Sequence, residues 1–324
     1  MADYTVRLLY DVPGWAYHHR CKGIQKYAPA DFQCDIGPDY GAAFRKTKYD
    51  LVMQLCYSHT RTIRRHIEKK QYPMVIVSGI NVGGAAAKPW LKQNLNNAEF
   101  CILNSEGAYR RCIEKVKEKF PDDPEPLTRL GYISNGVDRE RFYPFDDPAK
   151  RKVKVISITS KFHKQNKGYH NILIPLSERL GAHGIETDFR VIDSHGSARM
   201  NHKQMAEWYN TATIYLVASK TEGTPNPALE AASSGCTLVA TRVGNMPELI
   251  RDGENGFFCE RNIGDIERKI VRAVEHFPRL SAQMQKDIEP WHWKTRAQQY
   301  YDLFRRLIDE YRAGKRLTTA VVSA

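Results

Sequence analysis

Eight short apolar runs punctuate this chain, at 6–10, 51–56, 74–78, 100–103, 153–158, 189–192, 214–217 and 237–240, with helically spaced sequence between them. A strand that shows one face to water alternates apolar and polar residues. These runs do not, so they suit strands covered on both faces. Covered strands alternating with helices build parallel sheets through right-handed crossovers. The runs form two groups of four, and 324 residues is a length for two domains. The predicted fold class is therefore α/β, with two Rossmann-like parallel-sheet domains facing a cleft. Pro121, Pro124 and Pro126, then Ile133-Ser134-Asn135-Gly136-Val137-Asp138, then a charged stretch through Pro144 and Pro148 mark the junction. This puts the first domain at 1–145 and the second at 146–296. The tail 289–316 carries Trp291, Trp293, Tyr300, Tyr301, Phe304, Leu307, Ile308 and Tyr311, and reads as one long amphipathic helix.

Several classes are disfavoured at once. The first twenty residues contain an acid and no apolar run of signal-peptide length, and no stretch approaches 18 apolar residues, so the chain reads as cytoplasmic and non-spanning. Seven cysteines are odd in number and form no CxxC pair, which suggests buried thiols rather than a disulfide framework or a zinc knuckle. No Asp-x-Asp occurs, and the acid pairs Asp122-Asp123 and Asp146-Asp147 sit among prolines, so no metal site is expected. No G-x-G-x-x-G follows either domain's first strand, which argues against a dinucleotide-dependent dehydrogenase.

In open parallel sheets, ligands bind beyond the carboxyl ends of strands, where helix N-termini present free amides. After the run 214–217 comes such a loop, from Ser219 through Glu222 to Ala232. Pro225 and Pro227 suit a helix entry, which leaves the N–H groups of Gly223, Thr224 and Asn226 to face an anion. Glu222 and Glu230 stand on either side of this turn. Because a carboxylate accepts from paired hydroxyls, one acid suits a sugar and the other a ribose. The plain alternative makes Glu222 an N-terminal acid favoured by the helix dipole and Glu230 a solvated helix residue. Spacing alone does not separate the two.

The wider stretch, EGTPNPALEAASSGCTLVATRVGNMPELIRDGENGFF, resembles the donor-binding signature of family 4 glycosyltransferases, whose hallmark is two glutamates separated by seven residues. Ile133 to Asp138, followed by Phe142 and Pro144, resembles that family's interdomain crossover. The loop from Lys161 to Gly168 resembles the one whose basic pair holds a nucleotide diphosphate. The helix after Trp293 resembles the segment that crosses back to the first domain, here 297–324. The resemblance implies a GT-B fold and a retaining, metal-independent transfer from a nucleotide-diphosphate sugar, with no cofactor and no protein partner. Carried onto this sequence, it makes Lys161, Lys167 and Glu222 catalytic, with Lys164 as an alternative to Lys161. It makes Gly14, His195, Gly223, Thr224, Pro225, Asn226 and Glu230 donor-binding. Cations beside the phosphate oxygens stabilise the charge that develops on the departing diphosphate. The basic pair usually includes an arginine, and lysine lacks its bidentate fork. Many members also carry a histidine where this chain reads Gly79-Ile80-Asn81-Val82-Gly83-Gly84; His59 and His18 are open substitutes, and the turn could instead cradle phosphate.

The formal net charge of +12 is unevenly placed. Residues 41–92 hold ten basic side chains against two acids, so one segment makes the first domain basic. Arg61, Arg64 and Arg65 lie on a predicted helix with only Ile63 and Ile67 as apolar anchors, too little for a membrane-surface helix. The loop after the first strand adds Trp15, Tyr17 and His18. Aromatics beside cations suit a nucleic acid, stacking on bases and neutralising phosphates. More loosely, the opening Asp11-Val12-Pro13-Gly14-Trp15 resembles bacteriophage glycosyltransferases, some of which decorate hydroxymethylated DNA bases; that would place the enzyme in the host cytoplasm and require base flipping. Two acceptor classes stay open beside small molecules: a DNA base, held by Trp15, Tyr17, His18, Arg61, Arg64 and Arg65, and a cell-surface saccharide or lipid-linked acceptor. The plain reading is a solvated charged face, with Trp15 and Tyr17 packed under the C-terminal helix. A nucleotide-sugar-binding protein without turnover is the competing non-enzymatic class.

Overall fold

The computed structural model describes residues 2–38, 49–70, 75–80, 97–123, 125–192 and 200–315. They fall into two units, Met1–Gly136 with Trp293–Ala324, and Val137–His292. These divisions lie at 136/137 and 292/293, where the sequence reading put 145/146 and 296/297.

The first unit holds a parallel sheet of β1 (Tyr4–Tyr10), β2 (Phe32–Pro38), β3 (Leu51–Gln54), β4 (Val75–Ile80), β5 (Phe100–Leu103) and β6 (Leu130–Tyr132), in the order β2-β1-β3-β4-β5-β6. Alternate residues feed two separate cores. Val6, Leu8, Met53, Val77 and Ile102 join Tyr300, Tyr301, Phe304 and Leu307 of the C-terminal helix Trp293–Arg312. Leu9, Val52, Ile76 and Cys101 join Ile63 and Val116 on the other face. Both faces are therefore apolar, which is why the runs show no period of two. Polar contacts then fix the C-terminal helix to the helix and loops beside its sheet: the Tyr301 hydroxyl donates to the Ile24 carbonyl at 3.1 Å, and Arg305 and Arg312 reach Asp31 and Asp50, each just ahead of a strand, at 2.8 Å.

The second unit holds β7 (Lys154–Ser160), β8 (Glu186–Ile192), β9 (Ile214–Val217), β10 (Thr237–Ala240) and β11 (Gly256–Phe258), parallel and in the order β11-β10-β9-β7-β8. Here too the strands face two cores, one with Ile156, Tyr215 and Leu238 and the other with Val155, Leu216 and Val239. In this order β8 lies to one side of β7 and β9 to the other. The loops leaving β7 and β9 thus diverge at a topological switch point, where open α/β sheets hold ligands.

Among the described residues, three strands escape the apolar-run reading: β2, β6 and β11. All three are outermost in their sheets. The tail also differs from one continuous helix, because a 3₁₀ turn at Glu289–Trp291 containing Pro290 precedes the α-helix from Trp293. No helix among the described residues is long and apolar enough to cross a membrane. The seven cysteines are free thiols, six of them buried.

Candidate functional site

The site is assembled from the two loops at the switch point of the second sheet. After β7 the chain makes a short helical turn, Lys164–Lys167, which Gly168 ends in the left-handed region at φ +72°. After β9 it runs through Ser219 to Pro225 before the helix Asn226–Ser233. Asn166 joins the two loops. Its Oδ1 accepts from the Thr221 amide and hydroxyl at 3.1 Å each, its Nδ2 donates to the Thr221 carbonyl at 2.9 Å, and its own carbonyl accepts from the Lys220 amide at 2.9 Å. Arg261 adds a second tie from beyond β11: Nε donates to the Ala218 carbonyl at 3.0 Å, and Nη2 to the carbonyls of Asn166 and Gln165 at 3.3 and 3.4 Å.

These ties bring Lys167 to Glu222, with Nζ 2.6 Å from Oε1 and both side chains less than a fifth exposed. The Ser219 hydroxyl donates to the same oxygen at 2.7 Å. The exit from β10 supports the loop from a third side. Thr241 donates to the Ser219 carbonyl at 2.8 Å. Gly244, at φ +55°, comes so close that a Cβ there would lie 2.5 Å from the Gly223 carbonyl oxygen and 3.2 Å from Glu222 Cβ.

Glu230 belongs to the helix that follows, and Tyr209 donates to its Oε2 at 2.8 Å. The residue keeps some accessible surface, yet enough protein surrounds the carboxyl that burial pushes it up to about 7, against the opposing pull of Tyr209 and Arg141. One acid is thus held by a cation and the other by a neutral hydroxyl. That is an asymmetric pair suited to different partners.

Not every residue singled out in the sequence joins this group. Lys161 is exposed, its ammonium 5.1 Å from the centre of the Phe162 ring, and Lys164 lies over Tyr169 at 5.5 Å; Lys167 is the lysine held against Glu222. Gly223 and Thr224 are partly exposed ahead of the buried Pro225. The Asn226 amide is not free for an anion, because it donates to the Thr224 carbonyl at 2.9 Å. His195 and residues 81–84 lie outside the described residues.

In the first unit, the Gly14 amide donates to His18 Nδ1 at 2.7 Å, and His19 Nε2 bonds the Gly14 carbonyl at 2.9 Å, so the expected close approach of this backbone to a ligand is used up within its own loop. His18 lies against Tyr10, with ring centroids 4.3 Å apart and planes tilted by 33°, and burial, aided by Lys22, lowers its pKa. With Nδ1 accepting, its proton sits on Nε2. Trp15 is partly exposed, whereas Tyr17 packs against the apolar cluster that includes the C-terminal helix. Arg61 and Arg65 are exposed. Arg64 is a structural residue instead: it pairs with Glu99, whose other oxygen accepts from the Ile76 amide at 2.6 Å, and it also reaches the Asn97 carbonyl at 3.3 Å.

Residues 176–276 match the family model of glycosyl transferases, group 1. The matched segment is about a third of the chain. It contains Tyr209, Glu222, Glu230, Gly244 and Arg261, while Asn166 and Lys167 lie just ahead of it. A D-inositol 3-phosphate glycosyltransferase of Nocardioides is 29% identical over 117 residues, which are 35% of this chain and 26% of that protein. The chain therefore spans about a quarter of that curated relative. An uncharacterized glycosyltransferase of Methanocaldococcus jannaschii is 25% identical over 288 residues, 85% of this chain and 68% of that protein. Among solved structures, Anabaena HepE in complex with UDP-glucose superposes with a TM-score of 0.69 at 14% identity, covering 93% of this chain and 99% of that one. The two parallel-sheet units are those of the GT-B glycosyltransferase fold.

Arg261 and Asn166 were invisible to motif reading, because their partners are distant in sequence. Arg261→Ala is expected to raise hydrogen exchange at the Lys220 and Thr221 amides by about tenfold, with no change in global unfolding. Unchanged protection there would mean that Asn166 holds the loops unaided.

Proposed function

We propose that this protein is a retaining glycosyltransferase, moving a sugar from a nucleotide-diphosphate sugar to an acceptor hydroxyl. The observation that carries the reading is the Lys167–Glu222 pair at the switch point, 2.6 Å apart, with Glu230 on the helix that follows. Without a ligand, Glu222 neutralises Lys167. An arriving diphosphate competes for the ammonium and leaves the Glu222 carboxylate free to accept from sugar hydroxyls. Glu230 accepts from the ribose hydroxyls.

In the transfer step, the bond between the anomeric carbon and the phosphate oxygen breaks, and its electron pair stays with the diphosphate. Lys167 stabilises that negative charge. The acceptor oxygen bonds to the same face of the anomeric carbon, and its proton passes to the departing phosphate oxygen. Glu222 orients the sugar and makes no bond to it. The reading assigns the stabilising charge to a lysine rather than to a metal ion, in keeping with the absence of Asp-x-Asp from the sequence, so activity should survive a chelator. UDP-glucose, present in the Anabaena HepE structure, is the first donor to try.

For the acceptor, the exposed Arg61 and Arg65 on the helix Thr60–Lys70 favour a polyanion, and we take a hydroxymethylated base in DNA as the leading candidate. A donor panel offered with hydroxymethylated duplex DNA and, separately, with oligosaccharide and lipid-linked acceptors tests this by product mass. A gain of one sugar on DNA, weakening as salt rises, supports the reading. Transfer only to saccharide, with no DNA affinity at low salt, moves the acceptor to the other class. Tight donor binding without turnover would make this a binding protein.

A further inference from the structure

Glu230 has a partner that motif reading did not find. Tyr209 ends the helix His202–Tyr209, whose start is fixed by a reciprocal capping box between Asn201 and Gln204. Its ring is fully buried, with Phe142, Trp208 and Tyr215 at centroid distances of 5.9, 5.4 and 6.1 Å. Held by aromatic neighbours from separate elements, the ring presents its one polar atom in a fixed place. That atom donates to Glu230 Oε2 at 2.8 Å. Burial, with Glu230 nearby, raises the Tyr209 pKa well above 10, so the hydroxyl remains a donor throughout the working pH range.

We propose that Tyr209 is a positioning residue for donor binding: its hydroxyl fixes Glu230 through Oε2 and turns the remaining oxygen toward the vicinal hydroxyls of a ribose. The inference rests on the transferase reading for the role of Glu230, while the Tyr209 contact itself is a feature of the fold. A carboxylate held by one oxygen meets a diol with its second oxygen already oriented, and so loses less freedom on binding.

The same contact carries a pH consequence. Burial pushes the Glu230 carboxyl up to about 7, and two groups oppose it, the Tyr209 hydrogen bond and the positive field of Arg141. The neighbouring Tyr215 and Cys236 are held neutral by burial, the thiol pushed up to about 12. A protonated Glu230 loses acceptor capacity, so donor affinity falls as pH drops through about 7. Removing the Tyr209 hydroxyl takes away a stabiliser of the carboxylate and moves that limb to higher pH.

The test is binding by calorimetry of UDP, ADP and GDP and of their 2′-deoxy counterparts, from pH 5.5 to 9, to the whole protein and to Tyr209→Phe and Arg141→Gln. Wild type is expected to prefer one ribonucleotide over its deoxy form by about tenfold, the scale of a hydrogen bond to a charged group. Tyr209→Phe should lose most of that preference and shift the acid limb upward. Arg141→Gln, which gives up contacts to Asp138 and His202 but leaves the Tyr209 hydroxyl in place, should shift the limb the same way and keep the preference. Wild-type discrimination that survives intact in Tyr209→Phe with an unmoved limb overturns the inference and leaves the transferase reading standing. Binding of no nucleoside diphosphate by wild type overturns both. Equal weakening of ribo and deoxy forms at every pH, with no shift, would reduce Tyr209 to a packing residue.

Discussion

Lys167→Ala is expected to lower turnover of the nucleotide sugar by about 10²–10³-fold, the usual loss when one preorganised charge is removed from a developing anion. The fold should survive. Asn166 and Arg261 tie the two loops together without Lys167, and Ser219 still donates to Glu222 Oε1 at 2.7 Å. The variant leaves a mostly buried Glu222 without its cation, so a modest fall in melting temperature should accompany the loss of rate. Lys167→Arg should recover part of the activity, because guanidinium restores charge but not the compact ammonium geometry. Steady-state rates beside a melting curve separate the two effects: full activity in Lys167→Ala would remove this residue from the mechanism.

The second large effect is expected at Gly244, which no chemical role would flag. An alanine there must adopt φ near +55°, which costs L-residues about 1–2 kcal/mol. Its Cβ would also lie 2.5 Å from the Gly223 carbonyl oxygen, and that atom is backbone, so the Glu222–Gly223 turn has to move. A displacement of about 1 Å at a reacting geometry costs on the order of 10²-fold in rate. Gly244→Ala should therefore lose roughly as much activity as Lys167→Ala while retaining both charges of the pair. A variant with normal kinetics would show that the loop tolerates the shift.

Where the sequence was legible follows from how local each signal is. Strands β1, β3, β4, β5, β7, β9 and β10 are covered on both faces, and their uninterrupted apolar runs show it. The missed β2, β6 and β11 are edge strands, such as FQCDIGP at Phe32–Pro38, where a charged residue interrupts the run. Lys167, Glu222 and Glu230 were singled out through the resemblance to a family signature, since spacing alone left the two glutamates open; that signature is readable because strand, turn and helix follow one another closely in each loop. Tyr209 and Arg261 were missed because their roles exist only after folding: Arg261 reaches a carbonyl 95 residues away. Arg64 was misjudged for the same reason, since a sequence displays its charge but not Glu99, 35 residues on, that neutralises it. The Asn226 amide was misjudged more locally, since composition does not reveal a turn that bonds it to Thr224.

The central claim is that the paired loops bind and break a nucleotide-diphosphate sugar. Release of nucleoside diphosphate from a panel of nucleotide sugars, with and without acceptor, measured for wild type, Lys167→Ala and Glu230→Ala, tests it most directly. The account predicts release by wild type, stimulated by the correct acceptor, a loss of about 10²-fold or more in kcat for Lys167→Ala, and a raised KM for Glu230→Ala. Undiminished release by both variants would contradict it.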